Sequence, residues 1–73
     1  MHAMDEALLF QVSEGNPGAL SVCLMAYRIN PVNLVLLGAW DVRGSDLWVR
    51  YKKCGKDIVR LLTVAAQEVG QNI

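Results

Sequence analysis

Histidine is nearly missing from this sequence: His2 is the only one, and it is the second residue. Nucleophilic triads and Cys–His pairs need a base held firmly beside the nucleophile. A residue at a chain end, where order is commonly lost, is a poor place for one. Cysteine is scarce as well, with Cys23 and Cys54 the only two. Two separated cysteines and one terminal histidine do not make a four-ligand metal site. Nor is there a phosphate-cradling loop, because Gly15-Asn16-Pro17-Gly18 has neither the spacing nor the lysine of one. Asp5 and Glu6 are adjacent, so on a helix they point to different faces. The roles of an active site go unfilled, and the expectation is a protein that binds rather than catalyses, without a cofactor.

Long hydrophobic runs are absent too. The charge-free stretches, residues 15–27 and 29–40, fall short of a membrane span of ~20 residues, and Arg28 separates them. The segment from Met1 to Glu6 carries two acids and no Lys or Arg, the reverse of a signal-peptide start. Both thiols are therefore expected reduced, Cys23 as a core residue, and the compartment is expected to be the cytoplasm.

What is present is apolar. Of 73 residues 53% are hydrophobic and 19% charged, which excludes a disordered chain and leaves little polar surface. A single domain this small buries only ~60% of its unfolded surface. Net charge is zero but segregated: residues 1–40 sum to −2 and residues 41–60 to +3. A neutral molecule can thus still carry a basic patch.

The helix grammar is clear in most places. Asp5 to Ser13 predicts a first helix with acids at its start, where the dipole favours them, and Gly15 just beyond its end. Asn16-Pro17 predicts an N-cap and first turn for a second helix reaching about Tyr27, apolar nearly all round and so buried on most sides. Asn30-Pro31 repeats that pattern before a third segment running to about Trp40. Its Val32, Leu34, Val35, Leu36 and Leu37 also suit a buried strand, but no other strand is there to pair with it, so helix is preferred. Asp41 to Gly44 is expected to connect, and Ser45 to cap a short helix with Leu47, Trp48 and Tyr51 on one face, ended by Gly55. From about Lys56 the spacing of Ile58, Leu61, Leu62, Ala65, Ala66 and Val69 predicts an amphipathic last helix closed by Gly70. The expected fold is all-α, a compact bundle of about five short helices in one domain.

Two candidate surfaces follow. Two nearly all-round apolar segments are hard to cover in so small a bundle, which points to a homo-oligomer, with Leu24, Val35, Leu36 and Trp40 as interface candidates. A tight monomer with an ordinary apolar surface is the alternative. The second surface is basic. Arg43, Ser45, Arg50, Tyr51, Lys52, Lys53 and Lys56 are candidates for holding an anion, with Lys56 expected at a helix start whose free amides would help. The plainer reading is two solvated helix faces. A helix-turn-helix that binds nucleic acid is a further option, opposed by a pI near 6.5.

Three blocks go further. Glu14-Gly15-Asn16-Pro17-Gly18-Ala19-Leu20, then Val42-Arg43-Gly44-Ser45-Asp46-Leu47-Trp48, then Tyr51 through Ile58 are similar to a group of small proteins encoded mainly by bacteriophages and mobile genetic elements. The resemblance covers roughly residues 13–62 and departs at Asp41, where a small turn residue is expected. It implies a phage setting and the host cytoplasm, and brings no established activity. Small phage proteins act on host systems by inhibiting a host protein, binding nucleic acid or sequestering a nucleotide-like defence signal. A structural or assembly role is the remaining expectation.

Overall fold

The structure, a computed structural model, describes residues 3–41 and 46–71. Among them are five α-helices and no strand: α1 (Ala3–Ser13), α2 (Pro17–Ile29), α3 (Asn33–Asp41), α4 (Leu47–Lys53) and α5 (Ile58–Gly70). The all-α expectation is met, and the third segment is a helix.

α2 lies at the centre and touches each of the other four helices. Its buried stripe explains why: Ala19, Val22, Cys23 and Ala26 recur at helical spacing, and the two alanines let neighbouring backbones come close. α1 packs on α2 and α3, α5 on α3 and α2, and α4 on α2 and α5. α3 sends Leu34, Leu37 and Trp40 inward, each at most 2% exposed, to meet Leu61 and Ala65 of α5 in the same buried cluster. Cys23 is in that core and Cys54 is half-buried, and the two are not joined in a disulfide.

The helix starts are chemically specified. Asn16 Oδ1 accepts the amides of Gly18 (2.9 Å) and Ala19 (3.2 Å), with Pro17 in the first turn. Asp57 Oδ1 does the same for Val59 (3.0 Å) and Arg60 (3.3 Å) of α5. For α4 the cap is Asp46, accepting from Trp48 and Val49, rather than Ser45, which lies outside the described residues. A carboxylate there adds dipole attraction to the same hydrogen bonds. The start of α3 differs too. Asn30 ends α2, its own N–H donating to the Ala26 carbonyl, while its Oδ1 accepts from Val32, so Pro31 and Val32 form a turn. α3 then begins at Asn33, whose Nδ2 reaches back to the Ala26 carbonyl at 2.9 Å.

Two helix ends share one geometry. After α1, Gly15 N–H donates to the Phe10 carbonyl and Glu14 N–H to Gln11; after α4, Lys56 N–H donates to Tyr51 and Gly55 N–H to Lys52. Both are Schellman closures with two successive left-handed residues: Glu14 (φ 54°) and Gly15 (φ 73°), then Gly55 (φ 67°) and Lys56 (φ 62°). A side chain costs about 1 kcal/mol in that region. Lys56→Gly is therefore expected to raise the melting temperature by about 4–8 °C in a domain of this size. A melt followed by circular dichroism checks it, and an unchanged or lower midpoint means that Lys56 makes contacts offsetting the strain.

Glycine also fixes one helix crossing. A Cβ on Gly18 would stand 2.9 Å from the Trp48 indole, against 3.4 Å from Val12 for one on Gly38. Gly18→Ala is expected to destabilise by about 1–3 kcal/mol through overpacking against a rigid ring. Gly38→Ala, free of that clash, is expected to be neutral or to stabilise by up to about 1 kcal/mol through its helix preference. Paired denaturant titrations give the two signs, and equal shifts would show that the Trp48 contact does not limit the α2–α4 approach.

Candidate functional site

The sequence places seven candidate anion-binding residues along one segment, and folding divides them. Arg43 and Ser45 lie outside the described residues. Tyr51 is a core residue, 8% exposed, its ring stacked on Trp48 at 5.7 Å, so it offers no platform to a ligand. Arg50 is half-buried and engaged: its Nη1 donates to Glu68 Oε2 at 2.7 Å and its guanidinium lies 4.6 Å from the Trp40 ring centre. Lys52 and Lys53 are exposed, the Lys52 ammonium 4.9 Å above the Trp48 ring. Lys56 is exposed but sits in the left-handed turn, two residues before α5 rather than on its first turn. The amides expected to attract an anion there are already taken by Asp57.

What survives of the basic stretch is a set of exposed side chains on α4, on the turn after it and at the start of α5. On α4 the solvent arc carries Val49, Lys52 and Lys53; across the turn come Lys56, Val59 and Arg60, all exposed. A hollow of about 270 Å³ is lined by Trp40, Arg50, Lys53, Cys54, Val64 and Glu68. Inside it, the Trp40 indole N–H and Arg50 both donate to Glu68 Oε2. These donors hold one of the chain's own carboxylates and tie α3, α4 and α5 together.

The interface candidates divide in the same way. Trp40 is not a surface residue: it is 1% exposed and among the largest fully buried side chains. Its indole N–H finds an acceptor in Glu68, which lets a Trp enter the core without an unsatisfied donor. Leu24 and Leu36 are half-buried against the core, and Val35 is 65% exposed. Val35 edges a groove of about 430 Å³ between α1 and α3; Leu24 lines another of about 540 Å³ between α1 and α2.

Between those grooves stands the outer face of α1, which no sequence expectation singled out. Leu9 and Val12 point into the core, and Asp5 accepts a 2.8 Å hydrogen bond from the Tyr27 hydroxyl. That bond, then desolvation and the Asp5 charge, push the Tyr27 phenol above its ordinary value of 10.0. The tie is thus present below that value and is lost only as pH rises through the raised one. Opposite this inner side are Ala3, Met4, Ala7, Phe10 and Gln11, all exposed, with Phe10 at 64%. Among the described residues of the outer arc and its exit, the charges are those of Glu6 and Glu14. The signal was available: once Leu9 and Val12 face inward, Phe10 falls on the other side of the helix.

Among the described residues no helix is long and apolar enough to cross a membrane, and no three His, Cys, Asp or Glu side chains come together. In comparisons with known proteins, no family model, no curated protein and no solved structure matches the chain.

Proposed function

We propose that this chain is a non-enzymatic interaction module that works as a homo-oligomer, with the outer face of α1 as a contact surface. The observation that carries the reading is Phe10, a large aromatic 64% exposed on a helix face bordered by two apolar grooves. Surfaces of that kind mark association sites in small soluble domains. The resemblance to phage and mobile-element proteins supplies the setting, in which such an assembly acts on a host protein in the host cytoplasm. Sedimentation velocity on the wild type and on Phe10→Glu tests the proposal. The wild type is expected above the monomer mass of 8.1 kDa and the variant at it, with unchanged helical content. A wild type that stays monomeric as concentration is raised overturns the reading.

A second reading has one observation in its favour: Lys52, Lys53, Lys56 and Arg60 are all exposed, on α4, on the turn after it and in the first turn of α5. Exposed cations so close in sequence suit an anionic, nucleotide-like ligand. Binding of nucleic acid there would weaken steeply with salt, in proportion to the phosphates neutralised, whereas a small anion loses much less. If Lys52→Glu/Lys53→Glu leaves function intact, these cations serve only to solvate an assembly protein.

A further inference from the structure

We infer that the hollow among α3, α4 and α5 is a binding site for a small organic carboxylate, held by Arg50 and Lys53 beside the chain's own Glu68. It goes beyond the self-association proposed above and does not depend on it. Arg50 and Lys53 line one and the same hollow of about 270 Å³, together with Trp40, Cys54, Val64 and Glu68. Among the described residues Lys53 makes no hydrogen bond or ion pair. Arg50 commits only Nη1, to Glu68, so most N–H groups of its fork remain for another acceptor. The fork is also held in place. The Glu68 carboxylate fixes one edge, and the Trp40 ring centre lies 4.6 Å from the guanidinium carbon. A guanidinium fixed in this way offers paired donors to a carboxylate with little side-chain freedom left to lose.

Size and charge select the ligand class. Pockets for drug-sized ligands run ~300–1,000 Å³, so this smaller hollow takes a molecule of a few heavy atoms and not a nucleotide. Two cations against one carboxylate leave its lining with a net charge of +1. A monoanion balances that charge, whereas a phosphate dianion sets excess negative charge against Glu68. A guanidinium has more than one edge, so Glu68 and a second carboxylate can share Arg50 without competing for the same N–H groups. Val64 and Cys54, both half-buried, supply apolar wall, which favours a short hydrocarbon tail over a bare inorganic anion. With so few atoms to bury, half-saturation is expected on the order of 1 mM.

Butyrate is the probe, titrated into the full chain to about 20 mM at constant ionic strength, well past that half-saturation. The readout is the Trp40 indole N–H resonance, with the Trp48 indole as the control because Trp48 does not line the hollow. A saturable shift at Trp40 is expected with butyrate, and none with butyramide, its uncharged counterpart, or with chloride. Lys53→Gln is expected to weaken binding about tenfold or more, through loss of one charge-assisted contact. Lys52→Gln, on the same helix but over Trp48 and outside the hollow, is expected to change nothing. Both positions are exposed, and circular dichroism confirms that each variant folds. No saturable shift with butyrate, or an equal response to butyramide or chloride, overturns the carboxylate site. Binding that survives Lys53→Gln, or falls as far with Lys52→Gln, overturns it too, because the hollow's own cations then do not hold the ligand.

Discussion

Trp40→Ala is expected to cost about 3–5 kcal/mol, the range for removing a large aromatic from a packed core. A domain of 73 residues has a total stability of about 4–11 kcal/mol, so one substitution removes about a quarter of it or more. The melting temperature should fall by at least about 12 °C, and the transition broadens or disappears at the severe end. The size follows from position. Trp40 is 1% exposed between α3 and α5, its indole N–H donates to Glu68, and the Arg50 guanidinium lies against its ring. Deleting it opens a cavity and strips two half-buried charged groups of a neighbour. Trp40→Phe keeps the ring for Arg50 and loses the N–H, and is expected to cost about half as much or less. A Trp40→Ala variant that melts like the wild type but loses assembly mass would return this residue to an interface.

Glu68→Ala is expected to cost about 2–3 kcal/mol, more than the loss of its ion pair with Arg50 can explain. Glu68 and Arg50 side chains are 38% and 34% exposed, and pairs in that environment contribute at most about 1 kcal/mol. The larger part comes from Trp40. Its N–H gives up a hydrogen bond to a charged acceptor in a half-buried hollow, a kind of bond worth about 1.5–3 kcal/mol. Arg50, by contrast, can swing its guanidinium into solvent. The expected order of destabilisation is therefore Glu68→Ala, then Arg50→Ala, then Glu68→Gln, which retains an acceptor for the indole. Urea titrations of the three variants give that order. A Glu68→Gln variant as damaged as Glu68→Ala would show that the charge, not the indole N–H, is what the core requires.

These two residues also show why the candidate sites were only partly legible. Trp40 and Glu68 are 28 residues apart in sequence, and Arg50 and Glu68 are 18 apart. Helical spacing predicts that Leu34, Leu37 and Trp40 share one face, but not whether that face meets α5 or a second copy. The same limit applies along α4. Arg50, Lys52 and Lys53 look equivalent as a basic run. Packing turns Arg50 toward Trp40 and Glu68, leaves Lys52 above Trp48 and Lys53 in solvent, and buries Tyr51.

The sequence by itself determined the helical class, most of the turns and the last helix. Asn16-Pro17, Asp57 and Gly55 act within a few residues of themselves, through caps and left-handed closures that need no distant partner. The spacing from Ile58 to Val69 likewise contains its own answer. Tertiary structure decided the rest. It chose Trp40 for the core, assigned Arg50 to a carboxylate, closed the α5 N-terminus against an external anion, and left Phe10 outside. In an apolar helix with no pronounced polar side, periodicity permits several inward faces, and only the neighbours that cover one of them settle which side solvent or a second copy can reach.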